Sequence, residues 1–159
     1  MNDTWTQPSA TERLALLRRI RTVAMVGASP NPSRASNFVA TYLLSSTDYD
    51  VYFVNPNAKE ILGRPVYRSL DEVPTVPDVV DVFRKPADLP SVLSEVLKVG
   101  TSALWLQFGL YDEAIANEAK ANGLTVVMDR CLKIEHARFH GGLHLAGFNT
   151  GVISARRGR

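Results

Sequence analysis

The chain has a single cysteine, Cys131, among its 159 residues. One thiol excludes an internal disulfide and a cysteine-rich zinc site. No apolar run approaches the ~20 residues that a membrane-spanning helix needs. The first 20 residues lack the apolar core and small-residue cleavage site of a secretory signal. We therefore expect a cytoplasmic protein that does not bind membranes.

The chain also has little net charge. It carries 18 Lys+Arg and 16 Asp+Glu, a formal charge of +2, and three of the arginines (Arg156, Arg157 and Arg159) stand among its last four residues. The rest of the chain is therefore nearly neutral, which argues against a nucleic-acid partner. The length fits one domain that buries enough surface to fold without a metal or a disulfide.

Short apolar runs alternate with amphipathic stretches, the pattern of strands joined by helices. We expect five substantial strands, a short strand near Val66 and one helical turn at 69–73. The predicted strands cover 22–26, 51–56, 78–83, 102–107 and 124–129, and the predicted helices cover 10–20, 34–46, 86–99, 111–122 and 132–139. We expect Thr11 to cap the first helix, and the second helix to bury a face made of Phe38, Val39, Tyr42 and Leu43.

This alternation predicts an α/β, Rossmann-like, doubly wound parallel sheet of about five strands in three layers. We expect the strand order 3-2-1-4-5 and a ligand crevice at the carboxyl ends of the strands. We expect the chain to be divided into three segments: an N-terminal helix (1–20), the Rossmann-like domain (21–140), and a Gly-rich segment with a basic tail (141–159).

The loop after the first strand, VGASPNPSRAS, stands where a dinucleotide-binding fold holds phosphate. The GxGxxG fingerprint is incomplete, because only its first glycine, Gly27, is present. A glycine turn, the Ser36 hydroxyl, the Arg34 guanidinium and a helix N-terminus still make an anion site. The alternative is that the serines only cap the helix and Arg34 is solvated.

The ends of the next strands are basic or polar rather than acidic. Asn55 stands where dehydrogenases place an acidic residue for the ribose, and Lys59 follows it. Arg84 and Lys85 follow the third strand, where either could instead pair with Asp81, Asp88 or Glu72. Gln107 follows the fourth strand. These residues favour a nucleotide with an additional phosphate over NAD, unless the loop is merely polar and the lysine solvated.

Few residues indicate catalysis. Cys131 precedes a predicted helix, where a thiol pKa falls, but a lone cysteine is more often a small buried side chain. His136, His140 and His144 would share a face on one uninterrupted helix and bind metal, but Gly141 and Gly142 interrupt it. We therefore assign no catalytic or metal-binding residue.

Taken together, the segments VGASPNPSRASNFVATYL, VYFVNPNAKEILGRPVYRSLDEVP, DVVDVFRKP and LWLQFGLYDEAIANEAKANGLTVVMDRCLKIEH resemble the small stand-alone CoA-binding protein family. The fold of that family is similar to the N-terminal CoA-binding domain of succinyl-CoA synthetase alpha subunits and ADP-forming acyl-CoA synthetases. The resemblance covers about residues 20–137. It implies a domain that binds coenzyme A across the strand ends.

The resemblance also assigns roles by position. It implies pyrophosphate contacts in the first loop, adenosine and 3′-phosphate contacts after the second strand, further contacts after the third, and pantetheine contacts after the fourth. In that order the residues are Gly27, Ala28, Ser29, Arg34 and Ser36; Asn55, Pro56 and Lys59; Phe83, Arg84 and Lys85; and Gln107, Phe108 and Gly109.

We therefore expect a non-catalytic or accessory binder of CoA or an acyl-CoA. The phosphoryl-carrying histidine of the synthetases stands on a second domain, which this chain does not match. The alternatives are an NAD(P)-dependent oxidoreductase, a CoA-transferring enzyme that needs a partner chain, a redox-responsive binder in which Cys131 forms a mixed disulfide with CoA, and a scaffold with an empty pocket. The sequence leaves protein partners and self-association open.

Overall fold

The computed structural model describes residues 4–140, except the side chain of His140. The predicted segment 141–159 and its His144 lie outside these residues. The strands are β1 (Thr22–Val26), β2 (Asp50–Val54), β3 (Glu60–Ile61), β4 (Arg64–Tyr67), β5 (Val79–Val82), β6 (Ala103–Leu106) and β7 (Thr125–Val127). The helices are α1 (Ala10–Arg19), α2 (Ala35–Ser46), α3 (Leu89–Val99), α4 (Glu113–Ala121) and α5 (Leu132–His140).

The strands form one seven-stranded sheet with the order β3-β4-β2-β1-β5-β6-β7. All neighbouring pairs are parallel except β3 and β4, which form an antiparallel hairpin. The predicted α/β doubly wound fold is confirmed. The predicted order was wrong for the five long strands, because β5 pairs with β1 and not with β2. When the short β4 is counted as the third strand, the order becomes 3-2-1-4-5-6.

Each face of the sheet is covered by its own apolar core. On one face, residues of α3 and α4 pack against Val80, Val82 and Leu104. On the other face, residues of α1, α2 and α5 pack against Val79 and Trp105. Strands buried on both faces read as continuous apolar runs, which explains why the sequence located them.

Two predicted helix details were wrong. Ser9, not Thr11, caps α1: its side chain accepts a hydrogen bond from the Glu12 backbone, and the Glu12 carboxylate accepts one from the Ser9 backbone. On α2, Val39 and Leu43 are buried as expected, but Phe38 is 57% exposed. Its place in the buried face goes to Ser36 and Asn37, which are tied to the preceding loop.

The segment before α1 covers the outer edge of β7. The Trp5 indole donates to the Val126 carbonyl, at 2.8 Å. The Gln7 amide both donates to the Met128 carbonyl and accepts from the Met128 backbone N–H. Side chains thus satisfy backbone groups that an open edge strand leaves unpaired. Over residues 4–140, no helix has the length and apolar character needed to cross a membrane.

Candidate functional site

A cleft of about 600 Å³ opens at the carboxyl ends of β1, β2 and β5. This is the point where the chain's crossovers reverse direction, which is where doubly wound sheets bind ligands. Its walls come from the β1–α2 loop, the loop after β2 and the turn after β5. The lining residues are Gly27, Ser29, Arg34, Ala35, Ser36, Asn55, Pro56, Asn57, Phe83, Arg84, Lys85 and Asp88.

Gly27 lets the first and third of these loops approach each other. Its φ is +87°, and a Cβ placed there would stand 2.6 Å from the Phe83 carbonyl oxygen and 2.8 Å from Arg84 Cδ. Only glycine fits both the backbone angle and the contact. The floor of the cleft is therefore built by backbone.

The loop that follows Gly27 is held by two hydrogen bonds to residues of α2. The Ser29 backbone N–H donates to Ser36 Oγ at 3.0 Å, and the Asn37 amide donates to the Ser29 carbonyl at 3.2 Å. Arg34 occupies the residue before α2 and makes no side-chain cap there. Its exposed guanidinium has no acidic partner in the described chain, and it stands beside a helix N-terminus that favours anions.

Asn55 fixes the end of β2 against the first loop. Its Nδ2 donates to the Ala28 carbonyl at 2.7 Å, and its Oδ1 accepts from the Asn57 backbone N–H at 2.8 Å. Both ends of the amide are thus engaged by backbone. This position offers no carboxylate for a ribose diol.

The turn after β5 supplies the other charges of the cleft. Arg84 forms an ion pair with Asp88 at 3.0 Å, and both side chains are 35% exposed. Lys85 is exposed and lines the cleft. Three cations therefore face one carboxylate in this cleft, a balance that suits a ligand with more than one phosphate.

Nine of the fourteen residues singled out from the sequence line this cleft. The Ala28 side chain is buried below it, and Lys59 is exposed just before β3. Three others lie at the end of β6. There Gln107 is buried and its Oε1 accepts from the Leu132 backbone N–H at 3.0 Å, Phe108 is 78% exposed, and the Gly109 backbone N–H donates to Asp129 Oδ1 at 2.7 Å.

The sequence analysis missed three lining residues, Ala35, Asn57 and Asp88. Asp88 was named only as an alternative partner for Arg84 or Lys85, and its ion pair with Arg84, four residues before it, confirms that alternative. Asn57 and Ala35 carried none beyond their position in a strand-end loop.

A fully buried carboxyl lies two residues before Phe83. Asp81 sits on β5 between Met25 of β1 and Trp105 of β6, and neither of its side-chain oxygens has a hydrogen-bond partner within the described residues. Burial raises the pKa of Asp81 well above its usual value of 3.8. Burial therefore disfavours the charged form of this carboxyl group.

Cys131 and His136 lie outside the cleft. Cys131 is half-buried and lines a second cavity at the ends of β6 and β7. His136 Nδ1 shares a 2.8 Å hydrogen bond with the Tyr42 hydroxyl. Along the described chain, no three acidic, histidine or cysteine side chains are placed to hold a metal ion.

Comparison with known proteins yields one family and several relatives. The family described as CoA binding domain matches residues 21–137. The uncharacterized protein YneT of Bacillus subtilis is 37% identical over 130 residues, which cover 82% of this chain and 96% of that protein. A solved structure, a hypothetical protein from Pyrococcus horikoshii OT3, is 36% identical with a TM-score of 0.80, covering 89% of this chain and all of that one.

A larger relative matches over only a small part of its length. The acetate–CoA ligase [ADP-forming] I of Archaeoglobus fulgidus is 25% identical over 122 residues, which cover 70% of this chain but 18% of the ligase.

Proposed function

The chain belongs to the CoA-binding domain family, and from this premise we propose that it binds coenzyme A in the cleft at the ends of β1, β2 and β5. In this proposal the pyrophosphate lies against Gly27, Ser29 and Ser36, with Arg34 as its counter-charge. Arg84 and Lys85 contribute further positive charge, and Phe83 contributes apolar surface.

The observation that carries this proposal is the convergence of three loops on one cleft. The three cations Arg34, Arg84 and Lys85 come from two loops that are distant in sequence and touch at Gly27. A ligand that carries a pyrophosphate and a further phosphate matches this distribution of charge. The Ala28 carbonyl is held by Asn55, so the cleft wall is already ordered before a ligand arrives.

The remaining groups of the ligand are assigned by position. Asn55, Pro56 and Lys59 would lie near the adenosine and the 3′-phosphate. The pantetheine arm would leave the cleft past Gln107, Phe108 and Gly109, which follow β6, the strand next to β5.

We further propose that the chain binds CoA or an acyl-CoA without catalysing its transfer. The match to the acetate–CoA ligase spans 18% of that enzyme, so its reaction is not carried over. No residue lining the cleft is a cysteine or a histidine. Asn55 offers a dehydrogenase cofactor no acidic contact, which disfavours NAD.

Titration calorimetry with CoA, dephospho-CoA and NAD tests this function. We expect CoA to bind most tightly, with dephospho-CoA weaker by roughly tenfold to a hundredfold, the range of a charged hydrogen bond. NAD should not compete at similar concentrations. Lys59→Gln should reduce the difference between CoA and dephospho-CoA, and the exposed Lys98→Gln on α3 serves as its control. No binding of CoA, or equal binding of NAD, would contradict the proposed function.

A further inference from the structure

A second cavity, of about 470 Å³, lies at the same carboxyl edge of the sheet, beyond β6 and β7. The proposed function leaves it unassigned. Its lining combines arginines with exposed apolar side chains: Arg13, Phe108, Asp129, Arg130, Cys131, Ile134, Glu135 and Arg138.

Gln107 lies between residues that line the two cavities. It follows the last paired residues of β5 and β6, Val82 and Leu106, and so stands beside Phe83, which lines the first cleft. Its next neighbour in sequence, Phe108, lines the second cavity. From β5 to β7 is two strand spacings, about 10 Å. The arm of a bound CoA that continued past Gln107 in the direction from β5 to β7 would therefore reach the second cavity.

The charges of this cavity are unevenly compensated. The buried Glu135 carboxylate pairs with Arg13 at 2.6 Å and with Arg138 at 3.2 Å, so two guanidinium groups share one carboxylate there. Arg130 has no such partner in the described chain: its Nη1 donates to the backbone carbonyl of Asp129 at 2.9 Å, and it forms no ion pair.

The backbone of Arg130 is fixed while its charge is left available. Its carbonyl accepts from the Trp105 indole at 2.8 Å, and its N–H donates to the Leu106 carbonyl at 3.4 Å. The adjacent Asp129 carboxylate is engaged by the Gly109 backbone N–H. A guanidinium group whose backbone is fixed and whose remaining N–H donors are unpaired is suited to binding a carboxylate.

The remaining wall is apolar and solvent-exposed. Phe108 is 78% exposed and Ile134 is 61% exposed. A hydrocarbon chain that covers them would remove apolar surface from water. The cavity thus offers an apolar surface for a short chain, and its three arginines outnumber its two carboxylates, Asp129 and Glu135.

We propose that this cavity receives the acyl group of a CoA thioester whose acyl chain ends in a carboxylate, with Arg130 as the residue that binds that carboxylate. This inference rests on the proposed function and specifies its ligand class, the CoA thioesters of short dicarboxylic acids. Arg130 is a specificity-determining residue in this arrangement, and the pyrophosphate cleft is independent of it.

The test compares two thioesters of equal chain length, glutaryl-CoA and valeryl-CoA, which differ only in the terminal carboxylate. Calorimetry with the whole chain should show glutaryl-CoA binding at least tenfold more tightly, as expected for a charged hydrogen bond. Arg130→Gln should bring the two affinities together and leave the affinity for CoA itself unchanged. Arg19→Gln, an exposed arginine on α1, should leave all three affinities unchanged.

The outcomes separate the two proposals. If CoA does not bind at all, the proposed function is wrong. If CoA binds but the two thioesters bind equally, the proposed ligand class is wrong while the function stands. If glutaryl-CoA is preferred and Arg130→Gln keeps the preference, the assignment to this cavity is overturned.

Discussion

In the phosphate site that we propose, the Arg34 side chain is the counter-charge of the pyrophosphate, and we predict that it matters more for CoA binding than Cys131 does. Arg34 is exposed and caps nothing, so Arg34→Gln should leave the thermal midpoint unchanged. CoA affinity should fall by roughly tenfold to a hundredfold, because a charged hydrogen bond to a phosphate is lost. Calorimetry under reducing conditions checks this, with the exposed Arg64→Gln on β4 as the control.

Cys131→Ser belongs in the same measurement. Cys131 lies after β7, three strands from β1 and outside the first cleft, so its removal should leave CoA affinity nearly unchanged. A loss of binding in Cys131→Ser with none in Arg34→Gln would refute the phosphate assignment and favour a mechanism centred on the thiol.

Asp81 should make stability depend on pH. Because burial raises its pKa in the folded chain above 3.8, the native state holds more protons than the unfolded state once pH exceeds the unfolded value. The free energy of unfolding therefore falls as pH rises from the pKa of the unfolded chain to that of the folded chain. The fall is about 1.4 kcal/mol for each unit by which the two pKa values differ.

Asp81→Asn removes this titration. We expect the variant to gain stability relative to the wild type between about pH 4 and about pH 8, as measured by urea unfolding. The free-energy cost of burying the unpaired amide is the same at both pH values. The test is therefore whether the difference in free energy of unfolding between the variant and the wild type changes with pH. An unchanged difference would mean that Asp81 is ionised, with a partner, in the native protein.

At the scale of helices, the cap of α1 gives a prediction with a built-in control. Ser9 and Glu12 form a reciprocal pair of backbone hydrogen bonds, and Thr11 forms none. Ser9→Ala should lower the free energy of unfolding by ~1 kcal/mol, whereas Thr11→Ala should have little effect. Thermal or urea unfolding of both variants checks this, and equal losses would show that the cap is not at Ser9.

The same helix shows how far periodicity carries. The spacing of apolar residues located α1 and every long strand, because burial on one or two faces is recorded in the sequence. It did not locate the cap, since Ser9 and Thr11 are both polar residues with hydroxyls. It also placed Phe38 in the buried face of α2. Ser36 and Asn37 are buried there instead, because they form hydrogen bonds with the β1–α2 loop.

The site was predictable to the extent that it depends on topology. The rule that ligands bind at strand ends identified nine of the lining residues, since it needs only the ends of parallel strands. The strand order was harder to predict, because the hairpin that lies beside β2 is made of two short strands, β3 with two residues and β4 with four. The contacts of Trp5 and Gln7 with β7 join positions more than a hundred residues apart, which no local pattern records.

At the scale of the whole molecule, the sheet separates two cores that share its strands. Trp5 belongs to the core with α3 and α4, and Trp105 belongs to the core with α1, α2 and α5. Both indoles are buried, Trp105 completely. The chain has two tryptophans in all, so each core contains one.

This division gives the protein an intrinsic fluorescence reporter on each side of its sheet. Trp5→Phe leaves emission from one core and Trp105→Phe leaves emission from the other. Because β1, β2, β5, β6 and β7 each contribute side chains to both cores, we expect the red shift of the two single-tryptophan variants to occur over the same range of urea, relative to each variant's own circular dichroism transition. If the emission of one variant shifts at lower urea than its circular dichroism signal, the helices and core on that side unfold independently of the rest. Repeating the titration with ligand would show which of the two cores ligand binding stabilises.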